Sequence, residues 1–329
     1  MHTLTIAGAA RFAARVFWCC VVAGPLLWPV DALAEDRVVV NQDSMGAEAQ
    51  DWKPSQTPPV LELRGEFGAV SRRFEYHQDV NDNLRDHDDF APLFGAVVRW
   101  YPGAHLTSGA AANLGIVGEY ERSFVGSAST ESGEEFDATM QRFAIGARLR
   151  FPVERHELGV SFTYGRHEFG VDTGWEPNAV VANGLAIDRN YVPDVAYWYA
   201  RPGLDARFVF ERIHAGFGLG YRSVPKLGEV GTSTWFPQAT ARGMDGSLMI
   251  GFEVKPGLVV FGGADVTRYA LAMNSQYADT VLARDVAGGA IDQSISGRAG
   301  IEWRPIDPNA QKRNSDSASP TVSTHLAAK

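Results

Sequence analysis

Charged residues recur at alternate positions along this chain, and that spacing limits what they can do. Glu62, Arg64 and Glu66 are two apart, as are Glu119 and Glu121, Arg148 and Arg150, and Asp205 and Arg207. In an extended backbone such residues share one face, because side chains alternate across a strand. Arg142, Arg201, Arg222, Asp245, Glu253, Asp265, Arg298 and Glu302 extend the set, with both signs near balance. Away from bulk water these groups must pair or stay hydrated. The chemistry on offer is an interlocked ion-pair network, or a narrow polar path in which an arginine-rich constriction favours anions.

Two histidines have carboxylates beside them in sequence. His87 lies between Asp86 and Asp88, and His167 precedes Glu168. An imidazole held by a carboxylate is the raw material of general-base catalysis. Ser161 is too far from His167 in strand register for direct pairing. His214 falls at a turn and reads as structural or solvated. Asp79, Asn81 and Asn83 match the opening of a calcium loop, but Leu84 replaces its glycine and Phe90 its glutamate. With Asp86, His87, Asp88 and Asp89 these residues are at most loose ligands for a divalent ion, and a solvated acidic loop is the plainer reading. No catalytic residue, metal or cofactor is assigned.

The elements that must position the charges are strands. From Val60 to Ala69, Leu61, Leu63, Gly65 and Phe67 oppose Glu62, Arg64 and Glu66. Phe143, Ile145, Ala147, Leu149 and Phe151 oppose Arg142, Arg148 and Arg150, the cleanest case. The period of two returns near 94–100, 114–121, 158–165, 201–210, 215–222, 245–254, 260–267 and 294–303. That makes about ten strands of the ~9–11 residues that a tilted membrane strand needs. Long polar connections are expected near 77–89, 126–137, 170–194, 225–241 and 270–290, and short ones near 102–111, 152–156, 211–212 and 255–257. Such alternation suits an up-and-down barrel, and an even strand count puts both termini on the short-turn side.

The N-terminus reads as an export signal. Arg11 and Arg15 precede an apolar run from Val16 to Val30, broken by Pro25 and Pro29, and Ala32 and Ala34 form an A-x-A site. We expect a signal peptide over 1–34, cleaved after Ala34. Cys19 and Cys20, the chain's cysteines, lie within it, so the mature protein has no disulfide and no thiolate chemistry. A polar periplasmic linker over 35–59 and a disordered tail over 304–329 should flank a barrel over 60–303. The net charge of −9, without a basic block, argues against nucleic acid.

Period two alone does not say which face meets lipid. Gly216, Gly218, Gly220, Ser161 and Thr163 share the charged face, where small residues suit a crowded lumen, and lysine is scarce. Aromatics collect at strand ends: Trp100, Tyr101, Phe151, Phe210 and Trp303 on the turn side, and Tyr76, Phe90, Tyr120, Phe124, Tyr164, Phe169, Trp198 and Tyr221 toward the loops. Interfacial girdles look like this. The expected fold is an all-β transmembrane up-and-down antiparallel barrel with an apolar exterior, a soluble barrel being the alternative.

On these residues the chain resembles Gram-negative outer-membrane β-barrel proteins over roughly 60–303, in architecture and without matching one family. The resemblance implies outer-membrane localisation, with membrane lipid and the barrel-assembly machinery as partners. Solutes or surface ligands are further candidates, and the oligomeric state is open. In that class the last strand often ends in an aromatic; Ile301 and Trp303 fit, although the tail follows them. Three functions stand: a non-enzymatic barrel with a narrow or plugged lumen and interactive loops, a small-solute or ion channel of porin type, and a surface hydrolase, either an omptin-like protease or a lipid hydrolase. Omptin-type proteases share the strand count, but none of their catalytic spacings is matched here. The segment around Trp175 and Glu176 suits an inward or an outward loop equally.

Overall fold

Each alternating segment forms a strand, and the strands run well past the segments that announced them. The computed structural model describes residues 58–305, except 80–83, 85, 108, 125, 131–132, 134, 173–193, 233–234 and 275–286. The expected signal peptide, almost all of the linker and tail, and Trp175 and Glu176 lie outside the described residues. The strands are β1 (Leu61–His77), β2 (His87–Trp100), β3 (Leu114–Ser123), β4 (Gly126–Thr130), β5 (Glu135–Val153), β6 (His156–Asp172), β7 (Val195–Phe210), β8 (Ile213–Gly228), β9 (Thr240–Lys255), β10 (Leu258–Ala272) and β11 (Gly289–Trp303).

Neighbours in sequence pair antiparallel, and β1 pairs with both β2 and β11, which closes the sheet. β3 and β4 each pair with β2 and β5, so they are two halves of one stave and the barrel has ten. Closure matters because an open sheet edge would leave backbone groups without partners, which lipid does not tolerate.

Burial is inverted relative to a soluble barrel. Phe67, Leu248 and Ile250 are 67%, 68% and 69% exposed, whereas Arg72 and Glu302 are 2% and 1% exposed. The outward face is apolar and the charges point inward. This is a transmembrane up-and-down antiparallel β-barrel.

Strand length corrects the expected loops. β5 has 19 residues and β1 has 17, more than the ~9–11 needed to span, and the surplus projects at the loop end. The expected loop over 126–137 is mostly β4 and the start of β5. At the other end, residues 154–155 and 211–212 make the turns; Glu154 and Glu211 accept φ values of 54° and 53° there. The 102–111 connection carries two 3-10 turns, Pro102–His105 and Ala110–Asn113.

The loop-end interior is an apolar core. Phe74, Leu93, Phe169, Tyr197, Tyr269 and Met273 meet there. The β8–β9 connection covers it: Val230, Trp235 and Phe236 are buried in the same cluster. Backbone bonds from Phe236 N to Val230 O (3.0 Å) and from Ala239 N to Phe236 O (2.9 Å) fold this connection back on itself.

Candidate functional site: the charged lumen

The inward faces bring the lumen charges into layers that bridge the barrel. Toward the turn end, Arg207 Nη2 lies 3.1 Å from both Glu62 Oε2 and Glu302 Oε1. Arg99 reaches Glu62 at 3.0 Å, Arg64 reaches Glu302 at 2.8 Å, and Arg304 also contacts Glu302. Arg148 lies between Glu157 (2.8 Å) and Asp205 (Nε to Oδ1, 3.0 Å), with the Tyr101 hydroxyl in contact. Arg150 closes this end differently. It donates to the carbonyls of Pro59 (2.5 Å) and Ala112 (3.3 Å), and its guanidinium lies 3.7 Å from the Tyr101 ring centre. Glu253 pairs with His214 (3.2 Å) and accepts from Gly257 N (2.8 Å), pinning the β9–β10 turn.

In the middle layer Arg298 gathers three carboxylates: Glu66 at 2.6 Å, Glu121 at 3.2 Å and Asp265 at 2.6 Å. Arg142 shares Glu121 at 2.5 Å. Asp245 is held by Arg201 (2.6 Å) and Arg222 (2.8 Å). Glu119 lines the lumen, and no ion pair is found for it among the described residues. A polar cavity of about 160 Å³ remains between these groups.

The loop-side layer involves residues that sequence reasoning did not assign to the lumen. Arg72 binds Asp292 (2.8 Å) and Asp89 (2.6 Å), and lies 3.9 Å from the Phe169 ring centre. Tyr197 donates to Asp292 Oδ2 at 2.7 Å and stacks on Tyr269 with ring centres 3.8 Å apart. The Tyr269 hydroxyl meets Arg222 (2.5 Å) and His167 Nδ1 (3.2 Å). The available signal was the same alternation carried further: Val70, Arg72, Phe74 and Tyr76 continue the inward register of Glu62 and Glu66. Arg99, on the unassigned face of the 94–100 segment, and Glu157, one residue before the 158–165 segment, were also not assigned to the lumen.

Several expected placements are corrected. Tyr101 is fully buried inside the turn end and is no part of a lipid girdle, whereas Trp100, Phe151, Phe210 and Trp303 are exposed on the exterior. Tyr76 and Phe169 also turn inward. His87 and His167 face away from Asp88 and Glu168, because alternation sends adjacent residues to opposite faces. His87 points in, beside Arg72 Nη1 at 3.2 Å, while Asp88 is exposed. His167 points in, while Glu168 lies outside on Arg166 at 2.7 Å. Of the calcium-loop candidates, Asp79 and Asp86 have contacts with the backbone and His87 with the lumen. Asp79 accepts from Leu84 N (2.8 Å), Asp86 accepts from Tyr76 N (2.7 Å), and Asn81 and Asn83 lie outside the described residues. Among the described residues no cluster of three such side chains could hold a metal ion.

No protein-family model matches the chain, and no curated protein does. Among solved structures it is similar to an outer-membrane channel from Pseudomonas putida F1, at 10% identity over 75% of this chain and 97% of that one, TM-score 0.38. It is similar to the outer-membrane protease OmpT from Escherichia coli, at 11% identity over 76% and 98%, TM-score 0.37. The translocator domain of the autotransporter NalP from Neisseria meningitidis gives 12% identity over 76% and 90%, TM-score 0.35.

Proposed function

We propose that the protein is an integral barrel of the Gram-negative outer membrane, with a closed lumen, no enzymatic role and its interactions made by the loop end. An apolar exterior around a charged interior is stable in lipid and unstable in water, and an exported barrel reaches the outer membrane. Its partners on this reading are membrane lipid and the assembly machinery, with the Ile301–Trp303 strand end as the assembly signal. The observation that carries the closed lumen is the set of braces joining facing walls, above all Arg207 with Glu62 and Glu302. The loop-end cap of Val230, Trp235 and Phe236 supports it.

The test is conductance in planar bilayers, using protein purified from membranes and shown to be inserted by heat-dependent gel migration. The expected result is silence. The middle-layer cavity favours a second reading, a narrow channel for small ions. Stepwise currents whose ion preference changes in Arg148→Ala and Arg207→Ala would replace the closed-lumen reading with that one.

A further inference from the structure

The exterior of β8–β11 differs in charge from the rest of the barrel. These four strands contain five carboxylates, Asp245, Glu253, Asp265, Asp292 and Glu302, and each is bound to an inward partner. Their outward faces keep cations. Arg242 on β9 and Arg268 on β10 are both exposed. Arg242 is opposite Ala270 and Met244 is opposite Arg268, so the two arginines are diagonal neighbours, ~7 Å apart by ordinary sheet spacing. No carboxylate on these faces lies beside them among the described residues. Ser223 on β8 is opposite Arg242, and Gln293 on β11 is opposite Arg268, adding a hydroxyl and an amide to the same row. Two outward arginines elsewhere have acidic partners, Arg73 with Glu75 at 3.4 Å and Arg166 with Glu168 at 2.7 Å, while Arg122 on β3 is exposed, with Phe94 and Gln141 opposite it, and stands without a second arginine beside it.

Height on the barrel says what meets this row. Outward positions of β9 from Val254 to Met244 are apolar or glycine. Ten residues at ~3.3 Å, on a strand tilted by ~40°, rise ~25 Å, the height of an apolar belt. Arg242 is the next outward residue above it. On β10 the belt runs from Leu258 to Val266, and Arg268 is next. Both guanidiniums therefore stand at headgroup level on the loop side. Two adjacent guanidiniums without a carboxylate repel each other and form a fork suited to phosphate oxygens.

Resting on the membrane reading above, we infer that Arg242 and Arg268, with Ser223 and Gln293, bind the phosphate of an anionic lipid headgroup in the outer leaflet. The test reconstitutes the full protein in phosphatidylcholine vesicles with and without phosphatidic acid. Lipid retained on the protein is identified by native mass spectrometry, and insertion is followed by heat-dependent gel migration. Phosphatidic acid should be enriched several-fold among retained lipids. The enrichment should vanish in Arg242→Gln/Arg268→Gln, weaken in Arg242→Lys/Arg268→Lys, which keeps the charge and loses the planar fork, and persist in Arg73→Gln. The single glutamine variants, each expected to show partial loss, serve if the double variant does not fold. Equal enrichment in the glutamine and parent proteins overturns the site. Displacement of the lipid by an equal concentration of inorganic phosphate would reassign it to a free anion. Protein that inserts in neither vesicle overturns the membrane reading itself, whereas insertion without lipid preference overturns the headgroup site alone.

Discussion

Arg207 and Glu62 meet at 3.1 Å from diametrically opposite staves. In a ring of ten, β7 is five staves from β1 in either direction. The same guanidinium reaches Glu302 on β11, so one side chain ties facing walls together. Tyr197 to Asp292 and His167 to Tyr269 each cross four staves nearer the loop end. A barrel of this width can fill its interior with side chains, and here long polar ones do so.

Removing the brace should be costly. Arg207→Ala leaves Glu62 and Glu302 buried with their smaller share of Arg99, Arg64 and Arg304. Breaking a buried pair typically costs ~3–5 kcal/mol; the remaining arginines put this case near the lower end. The urea midpoint for loss of the folded gel band measures it. An unchanged midpoint would mean that the crossing carries no stability.

Tyr197→Phe isolates one crossing bond. It keeps the ring stacked on Tyr269 and deletes the 2.7 Å donation to buried Asp292. Leaving one acceptor less well satisfied should cost about 1–3 kcal/mol. The same urea assay applies, with Tyr197→Phe expected to retain full insertion.

The exterior belt should respond to depth. Leu248→Arg places a cation in the middle of the apolar face and should cost ~2–4 kcal/mol, whereas Met244→Arg, at the upper edge, should cost ~0–1 kcal/mol. Refolding equilibria in vesicles give both values. If the two substitutions were equally harmless, this face would not contact lipid.

Phe236→Ala tests the loop-end cap. Phe236 is 1% exposed and 6.4 Å from the Tyr76 ring centre. Truncating a buried phenylalanine costs ~3–5 kcal/mol, here set mainly against the docking of the connection. Limited proteolysis between β8 and β9 should accelerate while the barrel's gel shift stays unchanged. Loss of the whole folded band would show instead that the cap is integral to the barrel.

Alternation along the chain determined the strands, their number and which residues share a face; the burial of the charged face in the closed barrel decided that this face is the inner one. A period of two is a local property of an extended backbone, written wherever one face meets lipid and the other does not. Glu62, Arg148 and Glu302 could be assigned to one surface for that reason. The reading weakened where strands leave the lipid, since selection for an apolar outer face ends there; Arg72, Asp89 and Asp292 fell beyond the recognised segments. Aromatic residues misled at the same places: Tyr101, Tyr76 and Phe169 suit a girdle by composition and an interior by register.

Which inward charges meet was decided only by closure of the ring. Arg207 finds Glu62, 145 positions away in sequence, because ten staves put β7 opposite β1. No periodicity along one strand contains that distance. The exterior row of Arg242 and Arg268 likewise needs register between strands as well as alternation within each. Membership of a face is local and is therefore written along each strand; which face turns inward and which charges meet depend on where the closed sheet returns the chain.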